Sequence, residues 1–176
     1  MHIFGLAGWS GSGKTTLMAA LIPELTSRGL SVSTIKHAHH EFDIDRPGKD
    51  SWRHREAGAT EVMVASSRRW ALMHELRGDT EPGLPAMLAR MSPVDLVLVE
   101  GFKREAHPKI EVHRAANGKP LLHPDDPSIV AIASDAPLHG LRIPLHHLDD
   151  VAAIADVVLR RAVAIDAIDW FGRRDS

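Results

Sequence analysis

The chain has 176 residues, a formal net charge of −2, no cysteine, and a composition that is 44% hydrophobic but only 5% aromatic. This length fits a single α/β domain with a sizeable core, and the dispersed basic residues of a nearly neutral chain exclude a broad nucleic-acid surface. The absence of cysteine excludes disulfides, thiolate metal sites and a cysteine nucleophile, and it agrees with a reducing compartment. No apolar run is long enough to span a membrane, so we expect a cytoplasmic protein.

The first predicted strand, His2–Ala7, leads directly into Gly8-Trp9-Ser10-Gly11-Ser12-Gly13-Lys14-Thr15. This segment is a phosphate-binding loop of the form G-x-x-x-x-G-K-[ST], and a predicted helix over Lys14–Arg28 follows it. Such a loop turns backbone N–H groups inward, and the positive end of the helix adds to their attraction for phosphate. The sequence therefore predicts a site for a nucleoside triphosphate.

Each position of the loop has an expected role in that site. We expect the phosphate chain to be lined by Gly11, Ser12 and Gly13. The two glycines permit close approach of the backbone to phosphate oxygens. We expect Lys14 to reach the β- and γ-phosphates and to act as a catalytic residue, and the hydroxyl of Thr15 to ligate Mg²⁺. Thr16 is a candidate contact to the α-phosphate.

A second strand is predicted over Ser31–Lys36, which makes a right-handed βαβ unit and hence a parallel sheet. The polar stretch 37–48 that follows is long for a simple connection and is a candidate functional loop. Its histidines suggest a metal cluster, although we favour a second interpretation in which basic residues surround an anionic substrate. A solvated polar face remains the alternative. The metal candidates are His37, His39, His40 and His54, and the anion-binding candidates are Lys36, His37, Arg53 and Arg55.

A short helix is predicted from Asp50 or Ser51 to Glu56. The apolar runs Glu61–Ala65 and Trp70–His74 are then separated by four residues, which predicts a hairpin that adds antiparallel strands to the sheet. An amphipathic helix is predicted over Pro82–Met91.

The most apolar segment, Val94–Val99, predicts a central strand covered on both faces. Asp95 and Glu100 lie about 16 Å apart along it, so only one of them can be near the nucleotide. Ligands of open parallel sheets gather at the carboxyl ends of the strands, which selects Glu100 as the residue that holds the metal or orients water, in a catalytic role.

Two further strands are predicted, Ile110–His113 and Ile129–Ala133, and a closing helix over Asp149–Val163. Asp135 follows the second of these strands, where its carboxylate would accept the N1–H and exocyclic amine protons of guanine, or would merely open a turn before Pro137. The elements together predict a three-layer α/β fold of the P-loop NTPase type, with a nucleotide-binding domain over 1–165 and a C-terminal tail over 166–176.

Several blocks of the chain resemble the molybdopterin-guanine dinucleotide biosynthesis protein B (MobB) family over roughly residues 2–160. They are the loop Gly8–Thr15, the stretches 36–40, 45–51, 53–59 and 69–73, Leu98–Lys103, and Ala133–Asp135. The resemblance implies a GTP-binding, weakly GTP-hydrolysing homodimer that assists the guanylyltransferase joining GMP to molybdopterin. Trp9 stands where related dimeric ATPases and GTPases often carry a second lysine, so we expect hydrolysis to be slow.

Two other functions fit the same phosphate-binding elements. A small-molecule kinase would use Arg53, Arg55, Arg68 and Arg69 to stabilise the transferred phosphoryl group, although a convincing base for the acceptor hydroxyl is missing. An adaptor that carries the pterin and binds nucleotide without useful turnover is the third possibility. Whether the chain is an enzyme is therefore left open by its sequence.

Overall fold

The computed structural model describes residues 1–38 and 42–170. Contacts divide the chain into two compact units, one formed by residues 1–37 with 90 onward and the other by residues 38–89. Such units do not by themselves define domains, so the domain bounds 1–165 and 166–176 stay predictions. The strands are β1 (His2–Ala7), β2 (Val32–Lys36), β3 (Glu61–Ala65), β4 (Trp70–His74), β5 (Leu96–Glu100), β6 (Lys109–His113), β7 (Ile129–Ser134), β8 (Leu145–His147) and β9 (Val163–Ala164). The α-helices are α1 (Lys14–Ser27), α2 (Asp50–Glu56), α3 (Leu84–Leu88) and α4 (Val151–Arg161).

The first unit is built on a mostly parallel sheet, as the sequence predicts. Its strand order is β2-β5-β1-β6-β7-β8, and β9 pairs antiparallel with β1. The strand that carries the phosphate loop is therefore central, between β5 and β6. Because these neighbours run parallel to β1, their carboxyl ends meet the loop at one edge of the sheet.

Helices α1 and α4 pack against each other and against one face of this sheet. The contacts are made by alternate strand residues, as the two-residue period of a strand requires. The apolar core on this face includes Phe4, Leu21, Leu98 and Ile154, all fully buried. α1 ends at Ser27, and Gly29 then adopts a φ of +88° and stops the helix.

The opposite face carries buried charged and polar side chains. Lys109 is fully buried, and its ammonium donates to the carbonyl of Glu105 at 2.6 Å and to the hydroxyl of Ser128. His107 is also fully buried against β1, where a Cβ on Gly5 would overlap its ring.

The second unit contains α2, the β3–β4 hairpin and α3. Both hairpin strands have the predicted bounds, and they pair from Glu61 opposite His74 to Ala65 opposite Trp70. The hairpin forms a two-stranded sheet of its own and is not hydrogen-bonded to the main sheet. The predicted antiparallel element is therefore present, but it does not extend the parallel sheet.

Some predicted bounds differ from those of the structure. α3 covers Leu84–Leu88 instead of 82–91, and α4 covers Val151–Arg161 instead of 149–163. α4 begins later because Asp150 is its N-cap and accepts a hydrogen bond from the backbone N–H of Ala153 at 3.1 Å. Val163 leaves the helix because it pairs with Ile3 in the sheet. No helix among the described residues has the length and apolarity that a membrane span needs.

Candidate functional site

The phosphate loop connects β1 to α1 and takes its shape from its glycines. Gly8, Gly11 and Gly13 have φ values of +144°, +78° and +97°, a region that other residues rarely adopt. A Cβ on Gly8 would overlap the carbonyl oxygen of Val112, so a side chain has no room there. The hydroxyl of Ser12 is buried and has no hydrogen-bond partner among the described residues. The loop thus offers open backbone and an unsatisfied hydroxyl, both of which suit a phosphate ligand.

Lys14, the loop lysine, is folded over its own loop. Its ammonium donates to the carbonyl oxygens of Gly8 at 3.0 Å and Trp9 at 2.9 Å. Burial lowers the pKa of Lys14; the carboxylate of Glu100 opposes this effect, and the charges of Lys103 and Lys36 lower the pKa further. A polyanion beside these cations would relieve their repulsion.

Thr15 and Glu100 meet at the carboxyl ends of β1 and β5. The hydroxyl of Thr15 donates to the carboxylate of Glu100 at 2.9 Å, and Glu100 is only 8% exposed. Lys36, paired with Glu100 in the parallel register, places its ammonium 3.5 Å from the same carboxylate. A hydroxyl and a carboxylate are oxygen ligands of the kind Mg²⁺ prefers, so this pair fits a magnesium ion.

Asp95 lies at the other end of β5, away from this cluster. Its carboxylate accepts hydrogen bonds from the backbone N–H of Ser31 at 2.8 Å and from the Ser31 hydroxyl at 2.6 Å. The hydroxyl is the main cause that lowers the pKa of Asp95. Asp95 therefore links the start of β5 to the start of β2, and it does not lie beside the phosphate loop.

The segment after β6 lies against the phosphate loop from another side. A Cβ on Gly13 would be 3.2 Å from a guanidinium nitrogen of Arg114, so that side chain lies close to the loop. The amide of Asn117 donates to the carbonyl of Ser10 at 3.2 Å. Neither residue was predicted from the sequence, although the rule that selected Glu100, proximity to the carboxyl end of a central strand, also applies to them.

Asp135 follows β7 and is already engaged within the protein. Its carboxylate accepts the backbone N–H of Ala115 at 2.8 Å and lies 3.5 Å from the guanidinium of Arg114. The Ala115 hydrogen bond is the main cause that lowers the pKa of Asp135, and the charge of Arg114 adds to it. Asp135 therefore orders the segment beside the loop, while its contact to guanine stays a prediction, as does the contact of Thr16 to the α-phosphate.

The predicted anion-binding arginines differ in their surroundings. Arg55 is in contact with three carboxylates, at 2.9 Å from Asp43, 3.4 Å from Asp45 and 2.9 Å from Glu75. These ion pairs lie within the second unit and give Arg55 a structural role there. Arg53 is exposed, and its role in binding an anion stays a prediction.

The histidine cluster is only partly described. His39 and His40 lie outside the described residues, and the described ones contain no group of three acidic or histidine side chains that could hold a metal ion. His37 instead stacks on Phe102, with ring centroids 4.7 Å apart, at the turn that follows Glu100. This contact was not anticipated from the sequence.

Comparisons with known proteins give consistent results. A family model described as molybdopterin guanine dinucleotide synthesis protein B (MobB) matches residues 3–135. The molybdopterin-guanine dinucleotide biosynthesis adapter protein of Escherichia coli (strain K12) is 46% identical over 160 residues, which are 89% of this chain and 91% of that protein. The adapter protein of the same description from Haemophilus influenzae is 44% identical over 156 residues, covering 89% and 86%. The crystal structure of a molybdopterin-guanine biosynthesis protein B matches with a TM-score of 0.71 at 28% identity, covering 90% of this chain and 98% of that one.

Proposed function

The chain belongs to the MobB family, and from this premise we propose that it is a GTP-binding adapter in molybdopterin-guanine dinucleotide biosynthesis. In this proposal it binds GTP with Mg²⁺, hydrolyses it slowly, and assists the guanylyltransferase that joins GMP to molybdopterin. We further propose that it acts as a homodimer in the cytoplasm. The names of its relatives describe an adapter in this biosynthesis, which supports the choice of reaction and of partner.

The observation that carries the nucleotide part of the proposal is the convergence of Lys14, Thr15 and Glu100 at one edge of the sheet. Lys14 and the N-terminus of α1 supply positive charge to the phosphates. Thr15 and Glu100, in contact at 2.9 Å, would hold Mg²⁺, which supplies charge neutralisation at the phosphate oxygens when it is bound. Gly11 and Gly13 carry no side chains of their own, so the loop backbone would donate N–H groups to the phosphates.

In our proposal turnover is slow because Trp9 stands where related dimeric ATPases and GTPases often carry a second lysine. Glu100, whose carboxylate accepts the Thr15 hydroxyl and faces Lys36, would orient a metal ligand or a water molecule. Without a second lysine in the loop, the chain would hold nucleotide long enough to present a bound state to its partner.

The test is equilibrium binding and turnover with the purified chain. We expect Mg²⁺-dependent binding of GTP in preference to ATP, slow release of orthophosphate, and faster guanylyltransferase product formation when the chain is added to that enzyme with molybdopterin. A chain that binds GTP but leaves the guanylyltransferase rate unchanged would refute the assisting role. Transfer of labelled phosphate to molybdopterin would instead show a kinase, and failure to bind any nucleoside triphosphate would refute the nucleotide site.

A further inference from the structure

Trp9, the residue that follows Gly8 in the phosphate loop, holds two ammonium groups against its ring. Nζ of Lys103 is 5.0 Å from the ring centroid, and Nζ of Lys119 is 5.9 Å from it. The indole N–H donates to the carbonyl oxygen of Pro120 at 2.8 Å, which fixes the orientation of the ring. Cations at these distances are attracted by the electron-rich face of an indole, so Trp9 restrains both lysines at the loop.

The two lysines reach the ring from different segments. Lys103 lies on the turn three residues after Glu100, at the carboxyl end of β5, whereas Lys119 is exposed in the segment after β6. The carbonyl of Trp9 accepts the Lys14 ammonium at 2.9 Å while the ring of the same residue faces Lys103, so Trp9 connects the two cations. None of the carboxylates in residues 1–38 and 42–170 forms an ion pair with Lys103.

The backbone that presents Lys103 is unusually constrained. Gly101 and Phe102 have φ values of +96° and +49°, and a non-glycine residue in this region is uncommon. A Cβ on Gly101 would lie 2.8 Å from the Cβ of His37, and the ring of Phe102 stacks on His37. Such strained residues persist where the surrounding structure holds them, and they concentrate at ligand sites. The turn directly after Glu100 therefore fixes the position from which Lys103 extends.

The position of Lys14 shows which end of a bound triphosphate Lys103 would meet. The ammonium of Lys14, which serves the β- and γ-phosphates in loops of this form, lies at the carbonyls of Gly8 and Trp9. The first residues of the loop, at Trp9, therefore lie on the side of the terminal phosphate. The first turn of α1, at Thr16, lies on the side of the α-phosphate.

We propose that Lys103 is a second cationic ligand of the γ-phosphate and that Trp9 is its positioning residue. This inference rests on the proposed GTP site. It identifies Lys103 as the residue that distinguishes GTP from GDP in that site. GTP carries one more phosphate than GDP at the end where Lys103 lies, so the lysine stabilises the triphosphate selectively. Lys119, which reaches the same ring from the exposed segment after β6, does not take part.

The experiment measures the dissociation constants of GTP and GDP with Mg²⁺ by titration calorimetry. For Lys103→Gln we expect GTP binding to weaken about tenfold and GDP binding by less than about twofold, since one charge-assisted contact to the terminal phosphate is lost. Lys119→Gln is the matched control and should leave both constants unchanged. Lys103→Arg should restore most of the GTP preference, because it keeps the charge.

A second pair of variants tests the role of Trp9. Trp9→Leu removes the ring and should lower the GTP preference in the same direction as Lys103→Gln, while Trp9→Phe keeps an aromatic face and should preserve most of it. Equal weakening of GTP and GDP by Lys103→Gln, or an unchanged preference, would overturn the inference. If the parent chain binds neither nucleotide, the proposed function itself has failed, an outcome that these titrations separate from failure of the Lys103 contact.

Discussion

Replacing Glu100 by Gln tests the metal side of the site, because the change removes one charge and keeps the shape of the side chain. A hydrogen bond to a charged acceptor contributes about 1.5–3 kcal/mol and a neutral one about 1 kcal/mol, so weakening the Thr15 contact costs about 1 kcal/mol. The pair with Lys36, whose side chain is 59% exposed, contributes at most about 1 kcal/mol. We expect the free energy of unfolding to fall by about 1–2 kcal/mol, which leaves the chain folded.

The effect of Glu100→Gln on hydrolysis should be larger than its effect on stability. Loss of one preorganised charged group at a reaction centre lowers kcat by about 10²-fold, and we expect a decrease of this size in Mg²⁺-dependent GTP hydrolysis. The variant should still bind GTP. Its affinity for GTP without Mg²⁺ should increase, because the side chain at position 100 no longer carries a negative charge that repels the phosphates. The assay is orthophosphate release at saturating GTP over a series of Mg²⁺ concentrations.

Asp95→Asn is the matched control, since Asp95 directly precedes the same strand and its carboxylate accepts hydrogen bonds from Ser31 instead of Thr15. We expect it to lower stability without changing the Mg²⁺ dependence of hydrolysis. If Glu100→Gln hydrolyses GTP within a few-fold of the parent at every Mg²⁺ concentration, Glu100 is not the metal-side acid. A loss of hydrolysis in Asp95→Asn alone would contradict the whole placement of the site.

Three further changes test other parts of the molecule. Lys14→Ala should weaken GTP binding by about 10²-fold while the unfolding temperature stays near that of the parent, and an unchanged affinity in the folded variant would exclude Lys14 from the phosphate site. Asp135→Asn should reduce the preference for GTP over ATP by about 1–3 kcal/mol in competition titrations, and an equal preference in variant and parent would leave Asp135 only its contacts to Ala115 and Arg114. Burial, assisted by the charge of Lys109, lowers the pKa of His107 to about 3, so the folded state binds fewer protons than the unfolded state below pH 6.5. The free energy of unfolding should then fall by up to about 1.4 kcal/mol per pH unit from pH 6.5 to 4.5, and His107→Leu should remove this slope in denaturant titrations.

The sequence by itself determined those features that depend on residues close together along the chain. The phosphate loop and the strand His2–Ala7 are where the pattern predicts them, because the glycine spacing and the buried apolar run are local requirements. Both hairpin strands also have the predicted bounds. The position of Glu100 beside Thr15 followed from one further rule, the common direction of parallel strands.

Contacts between segments far apart in the chain were decided by the tertiary structure. Trp9 meets Lys103 and Lys119, and Arg114 reaches Gly13, because the order of strands brings the ends of β5 and β6 to either side of β1. The hairpin pattern likewise predicts two paired strands but does not specify whether they join another sheet. Periodicity reports which face of an element is buried, whereas the partner at that face depends on the lateral order of strands and the paths of the loops, and neither leaves a local signal in the sequence.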